Sequence, residues 1–196
     1  LRVSPDVLIP RPDTETLVDW AIGLLRQDAA IDQPKVVDLG TGSGAIAISV
    51  ACAVPTASVL ATDVSEPALA VARDNIARLA PSITTAQGSW WQAVPDGGVF
   101  DLALSNPPYI AGNDPHLAAL THEPRSALTP EGDGLDAIRQ IVAGAGRHLR
   151  PGAWLLLEHG WDQSEAVTAI LQAAGFAATA TRLDIDGRVR CTGARR

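Results

Sequence analysis

The sequence has 196 residues, of which 46% are hydrophobic, and a formal net charge of -7. That length suits one domain with a continuous core, because domains commonly hold about 100 to 200 residues. The acidic balance disfavours nucleic acid and anionic membranes as partners. No apolar run approaches the roughly 20 residues that a membrane-spanning helix needs. Cys52 and Cys191 stand alone and far apart, so neither a disulfide framework nor a zinc site is expected.

The chain carries no signal-peptide pattern at its start and has a cysteine usage that fits a reducing compartment. We therefore expect a cytoplasmic protein, a single domain over residues 1–196 and a monomer. Because the sequence begins with Leu1 and contains no Met, we also expect it to be part of a longer protein or a processed chain.

Short β-branched runs alternate with amphipathic helical stretches along the chain, which predicts an α/β fold with a mostly parallel sheet and helices on both faces. The predicted elements, in chain order, are a helix capped by Asp13 that ends near Gln27, strand 35–39, helix 45–53, strand 58–62, helix 66–79, strands 83–87 and 100–105, helix 134–149, strand 154–158, helix 162–174, and a hairpin of strands 176–183 and 188–192. This gives seven strands. Residues 110–133 form a connection too long to be an ordinary loop, which predicts a functional loop or lid.

A glycine-rich turn follows the first predicted strand and opens the next helix, in the segment Asp38-Leu39-Gly40-Thr41-Gly42-Ser43-Gly44. Glycines in that position permit positive φ and let the backbone approach a ligand closely, while the free amides of the helix offer hydrogen bonds. Asp63 ends the second strand, where a carboxylate can accept hydrogen bonds from ribose hydroxyls. Together they predict a nucleoside pocket.

A second motif, Asn106-Pro107-Pro108-Tyr109, follows the fourth strand and should lie at the same edge of the sheet as the glycine turn. The two prolines fix φ and remove amide donors, which leaves carbonyl groups that can only accept. The Asn106 Oδ1 and the Pro107 carbonyl could each accept one N–H of an amide or amino group, while Tyr109 stacks on the planar group. The motif therefore predicts a clamp for such a nitrogen.

Four segments of the sequence, 8–15, 38–45, 105–110 and 155–160, resemble the HemK/PrmC family, the peptide chain release factor glutamine methyltransferases, and the likeness extends over residues 3–193. The resemblance implies a class I, Rossmann-like S-adenosylmethionine-dependent methyltransferase fold. It implies transfer of a methyl group to the glutamine amide nitrogen in the Gly-Gly-Gln motif of class 1 peptide chain release factors, with S-adenosylhomocysteine as product and no metal.

Carried over by position, the resemblance also implies site residues. The cofactor contacts would be Asp38, Gly40, Thr41, Gly42, Ser43, Gly44, Asp63, Trp90 and Asn106. The substrate clamp would be Asn106, Pro107, Pro108 and Tyr109, of which Asn106, Pro107 and Tyr109 would be catalytic, with Arg11, Pro12 and Glu15 at the pocket rim. The sequence departs from the family at Ser89, where an acidic residue is usual; stacking by Trp90 or Trp91 would compensate. From the resemblance we expect the family's N-terminal helical substrate-binding domain to be absent from this chain.

Two other functions remain open from the residues alone. One is an amino-nitrogen methyltransferase acting on a nucleic-acid base, which would use the same clamp, and the other is a nucleoside-binding module without turnover. No general base is indicated, because His116, His122, Glu123 and His159 are predicted to be surface or structural residues.

Overall fold

A central sheet organises the chain in the computed structural model, which describes residues 1–27, 31–120 and 122–196. The strands within these ranges are β1 (Lys35–Leu39), β2 (Ser58–Asp63), β3 (Thr84–Gln87), β4 (Phe100–Ser105), β5 (Leu149–Glu158), β6 (Ala177–Leu183) and β7 (Val189–Arg195). They are ordered β3-β2-β1-β4-β5-β7-β6. Among these described strands, β7 alone runs in the direction opposite to the other six. The carboxyl ends of β1, β2, β4 and β5 therefore meet at one edge.

Helices cover both faces of the sheet. They are α1 (Glu15–Gln27), α2 (Ala45–Ala53), α3 (Glu66–Leu79), α4 (Arg125–Leu128), α5 (Asp136–His148) and α6 (Ser164–Ala173). Short 3₁₀ turns occupy Pro12–Thr14, Trp90–Ala93 and Pro115–Ala119. Among the described helices, none combines the length and apolarity that crossing a membrane requires.

Two hydrophobic cores lie on opposite faces of the sheet, because successive strand residues point to opposite sides. On β1, Val36 belongs to the core that α1, α2 and α3 cover, whereas Val37 belongs to the core under α5 and α6. The strands of the sheet centre are buried on both faces, which explains their continuous apolar runs. The α/β class and the seven strands predicted from the sequence are thus confirmed.

The structure corrects the predicted start of α1 and the predicted start of β5. Asp13 does not cap α1: Pro12 starts a 3₁₀ turn ahead of the helix, without a side-chain cap, and the Asp13 carboxylate lies 3.2 Å from Arg190 Nη2. The connection 110–133 contains the Pro115–Ala119 turn and α4, its position 121 lies outside the described residues, and its role as a functional loop or lid stays a prediction. β5 begins at Leu149 rather than at residue 154, because Phe100 already pairs with Leu149 before a register shift.

Candidate functional site

The turns that follow β1 and β4 meet at the carboxyl edge of the sheet. These two strands are parallel neighbours, with Asp38 opposite Leu104, so the segments that leave them emerge side by side. Gly42, Asp63 and Asn106 line one cavity of ≈ 340 Å³. This confirms the prediction that the glycine turn and the Asn-Pro-Pro-Tyr turn face each other.

The glycine turn is held by backbone hydrogen bonds to the neighbouring strand. The amides of Gly40 and Thr41 both donate to the Thr62 carbonyl, at 2.9 and 2.8 Å. Gly40, Gly42 and Gly44 adopt φ values of 75, 54 and 84°, a region that side chains with a Cβ rarely enter. A Cβ added at Gly42 would meet nothing within 4 Å. The turn therefore presents bare backbone to the cavity.

Asp63 ties this turn to the start of α3. Its Oδ2 accepts the Gly42 amide and its Oδ1 accepts the Ser65 amide, both at 2.9 Å. A carboxylate oxygen has a second lone pair, so each oxygen keeps one acceptor site. Because Asp63 also lines the cavity, that capacity is available to a ligand.

Asp38 lies behind the glycine turn and is not among the residues that line the cavity. Its Oδ2 accepts the Thr41 hydroxyl at 2.6 Å and the Ala47 amide at 3.3 Å. Its Oδ1 is buried and has no hydrogen-bond partner within the described ranges. Burial raises the pKa of Asp38 to about 7, against the lowering effect of the Thr41 and Ala47 hydrogen bonds.

The two tryptophans that follow β3 have different surroundings. Trp90 lines the cavity beside Ser89, packs against the position that a Cβ on Gly40 would take, and donates from Nε1 to Gln140 Oε1 at 3.1 Å. Trp91 stacks on His148 in the core and donates to the Ile141 carbonyl. Of the two tryptophans expected to compensate by stacking for Ser89, only Trp90 lines the cavity, because the Trp91 indole is buried in the core.

The Asn-Pro-Pro-Tyr turn contributes Asn106 and Pro108 to the cavity, whereas Pro107 and Tyr109 do not line it. Pro107 is buried beneath the turn. The Tyr109 hydroxyl lies 3.5 Å from Glu158 Oε1, and burial raises the pKa of Tyr109. The stacking role expected of Tyr109 therefore stays a prediction.

Residues of the segment 5–11, all except Ile9, also line the cavity, as do Ser126 and Ala127. Glu123, three residues before Ser126, holds this segment: its carboxylate accepts the Ile9 amide at 2.9 Å and Arg11 Nη2 at 2.6 Å. The Glu123 side chain is only 5% exposed, so of the surface or structural role predicted for it the structure supports the structural one. Arg11 lines the cavity as predicted, but Pro12 and Glu15 do not.

The histidines hold ordinary positions. His116 is exposed and pairs with Asp114, and His122 is exposed. His159 is buried between the Gly160 carbonyl and the Thr192 hydroxyl, and burial lowers its pKa. No group of three or more His, Cys, Asp or Glu side chains that could hold a metal ion is present in the part of the chain that the structure describes.

Sequence reasoning missed Glu158, the last residue of β5. It is 1% exposed, its Oε2 has no hydrogen-bond partner among the described residues, and burial raises its pKa to about 7. Arg190 lies close to it and bonds Asp184 and the His159 carbonyl. One signal was available in the sequence: Glu158, like Asp38 and Asp63, is an acidic residue at the carboxyl end of a predicted strand.

The fold and the cavity define a methyltransferase domain. The family model described as "Methyltransferase small domain" matches residues 15–140. Among solved structures, the N-terminal domain of human METTL16 in complex with SAH superposes with a TM-score of 0.71 at 16% sequence identity, covering 99% of this chain and 74% of that one. At that identity the likeness shows the fold alone.

Curated relatives are much more similar in sequence. A release factor glutamine methyltransferase of Bordetella pertussis is 51% identical over 97% of this chain and 70% of its own length. One of Xylella fastidiosa is 53% identical over 97% of this chain and 69% of its own length. The chain belongs to the release factor glutamine methyltransferase family.

Proposed function

We propose that this chain transfers the methyl group of S-adenosylmethionine to the side-chain amide nitrogen of the glutamine in the Gly-Gly-Gln motif of class 1 peptide chain release factors. One observation carries the proposal beyond family membership. The glycine turn and Asn106 line the same cavity, so a cofactor on the first would meet an acceptor nitrogen on the second.

The residues on the cofactor side fit a nucleoside with an amino-acid tail. Gly42 leaves open space where a Cβ would stand, and Asp63 has spare acceptor capacity for two ribose hydroxyls. Trp90 offers an aromatic face for the base. When bound, S-adenosylmethionine supplies a methyl group on a sulfonium sulfur. That sulfur departs as a neutral thioether, which needs no metal.

The residues on the acceptor side suit an amide nitrogen. An amide nitrogen carries two N–H donors and a delocalised lone pair, so it is a weak nucleophile that must be held in position. Asn106 Oδ1 and the Pro107 carbonyl would accept one N–H each, and both hydrogen bonds strengthen as the nitrogen gains positive charge. Holding the reactants in line is worth roughly 7 to 11 kcal/mol at best.

Further parts of the proposal follow from this chemistry. We propose a monomer as the active form. We propose cytoplasmic action, since release factors work in translation. Arg11 at the rim and the clamp residues would contact the release factor, and the -7 net charge opposes nucleic acid as acceptor.

The test is incubation of the chain with labelled S-adenosylmethionine and a class 1 release factor, followed by peptide mapping of the label. The expected product carries one methyl group on the glutamine of Gly-Gly-Gln, and a release factor with that glutamine changed to alanine should stay unlabelled. Parallel reactions with RNA and DNA serve as controls. Label in nucleic acid but not in release factor would refute the proposal.

A further inference from the structure

Asn106 can serve the acceptor nitrogen only if its amide group is turned one way. The carbonyl oxygen accepts hydrogen bonds and the NH₂ group donates them, while the two ends have nearly the same shape. If Nδ2 pointed at the acceptor nitrogen, donor would face donor and the clamp would repel its substrate. Methyl transfer therefore needs a feature of the protein that fixes the orientation of this amide.

Thr14 contacts the other end of the Asn106 amide. Asn106 Nδ2 donates to Thr14 Oγ1 at 3.2 Å, and Thr14 is 8% exposed, so little water competes. A hydroxyl can, however, accept from Nδ2 or donate to Oδ1. Thr14 alone would leave both orientations of the amide open.

Glu158 removes this ambiguity. Its Oε1 lies 3.5 Å from the Tyr109 hydroxyl, and its buried Oε2 has no partner in hydrogen-bond geometry among the described residues. The carboxyl group thus has acceptor capacity left for the Thr14 hydroxyl, whose donation lowers the pKa of Glu158. A carboxylate has no hydrogen to give. When the Thr14 hydrogen points to this carboxylate, the Thr14 oxygen is left to accept from Asn106 Nδ2, which lies 3.2 Å away.

We propose that Thr14 and Glu158 are positioning residues that turn Asn106 Oδ1 toward the acceptor nitrogen, an inference that rests on the proposed function for the identity of the acceptor. Both act on the acceptor nitrogen through Asn106: Glu158 does not line the cavity, and Thr14 lines it beside Asn106. The residues come from three separate parts of the chain: the turn before α1, the end of β4 and the end of β5.

The protonation state of Glu158 should set this orientation. Burial raises its pKa to about 7, and a protonated carboxyl could donate to Thr14, which would then donate to Asn106 Oδ1 and reverse the amide. We expect kcat to rise with pH around 7. The titratable and charged groups that face Glu158 from the neighbouring elements are Asp13, Tyr109, Arg190 and Cys191, with Asp184 behind Arg190.

Kinetics of four variants test the proposal. Thr14→Val removes the hydroxyl at equal size and should lower kcat about tenfold or more, with an unchanged Kd for S-adenosylmethionine, because each tenfold corresponds to about 1.4 kcal/mol of barrier. Thr14→Ser should restore most of the rate. Glu158→Gln should lower kcat at least as far and abolish its rise near pH 7, since the amide can donate to Thr14. Thr192→Val, which removes a buried hydroxyl bonded to His159, is the matched control and should keep the wild-type rate.

The double variant Thr14→Val/Glu158→Gln should lose no more rate than the worse single variant, because both changes break one chain of hydrogen bonds. Equal kcat in Thr14→Val and wild type, failure of Thr14→Ser to recover, or an equal loss in Thr192→Val would each overturn the inference.

A second measurement does not depend on the acceptor. In protein labelled with ¹⁵N-asparagine, the Asn106 side-chain signal, assigned by its loss in Asn106→Ala, should show a proton protected from exchange that Thr14→Val and Glu158→Gln expose. If wild-type protein fails to methylate release factor, the proposed function falls, and this signal still decides the orientation. Unchanged protection in both variants would refute the positioning role.

Discussion

The two sides of the cavity are built differently. On the cofactor side, backbone hydrogen bonds and positive-φ glycines shape the turn, and Asp63 bonds amides only 21 and 2 residues away in sequence. On the acceptor side, Asn106 bonds Thr14 across 92 positions and Tyr109 contacts Glu158 across 49. Backbone geometry fixes the first side, whereas side chains from distant segments fix the second.

This difference has a functional reason. A nucleoside cofactor offers many groups to backbone amides and carboxylates, so a short continuous motif is sufficient to hold it. A single acceptor nitrogen must be held in one orientation by a few groups. The acceptor side therefore requires contacts that only the assembled sheet edge can supply, and changes on the two sides should separate binding from rate.

The largest expected effect comes from Asn106→Ala. Removing the Asn106 carbonyl should lower kcat by about 100-fold or more, as loss of one preorganised group at a reacting atom does. The Kd for S-adenosylmethionine, measured by calorimetry, should change little, because the glycine turn stays intact. Asn113→Ala, at an exposed loop position, is the control. Wild-type turnover in Asn106→Ala would show that the acceptor side does not work through this residue.

Asp63→Ala should weaken cofactor binding more than it lowers kcat, the reverse of Asn106→Ala. It removes the expected ribose contacts and the two hydrogen bonds to Gly42 and Ser65, each worth about 1.5 to 3 kcal/mol when the acceptor is charged. We expect the cofactor Kd to rise about 10- to 100-fold, while kcat at saturating cofactor falls much less. Asp96→Ala, at an exposed turn, should bind normally. An unchanged Kd in Asp63→Ala would contradict the assignment of the cofactor side.

Gly40→Ala should have a smaller effect on the same side. The residue sits at φ 75°, and an added Cβ would lie 3.2 Å from Trp90 Cζ3, so the change costs about 1 to 2 kcal/mol of folding free energy and moves the indole. We expect about tenfold weaker cofactor binding and a lower Tm. Gly146→Ala in α5 meets nothing within 4 Å and should raise Tm slightly. Normal cofactor affinity in Gly40→Ala would mean that Trp90 does not need its present position.

The smallest expected effect is a pH dependence of stability. Burial in the folded protein raises the pKa of Asp38 from its ordinary value of 3.8 to about 7. The stability that its protonated form contributes is fully present below pH 4 and is lost as pH rises to about 7. Glu158 acts in the same direction.

Thermal denaturation between pH 4 and 8 should therefore show Tm falling with pH in wild type and falling less in Asp38→Asn. Asp96→Asn, at the exposed turn, should keep the wild-type slope. If Asp38→Asn also kept that slope, the Asp38 carboxyl would not be the group that titrates.

Local sequence signals were sufficient to predict most helices and strands and the residues on the cofactor side of the cavity. The limits of β1, α2, α3 and β4 were predicted as the structure has them, because periodicity, glycine and proline act over a few residues. The 3₁₀ turn before α1 was missed, since Asp13 has the chemistry of a helix cap but pairs with Arg190 on β7. That partner is invisible to a local pattern.

By itself, the sequence determined the α/β class, the glycine turn, Asp63 and the placement of Asn106 after a buried strand, because each depends on neighbours in the chain. Only the tertiary structure decided that Trp90 rather than Trp91 faces the cavity and that Glu123 bonds the segment 5–11. It also decided that Thr14 contacts Asn106 and that Glu158 is buried near them. These contacts join segments separated by 50 or more positions. Their energies arise from burial and close approach, which exist only once the strands have been brought together in the sheet.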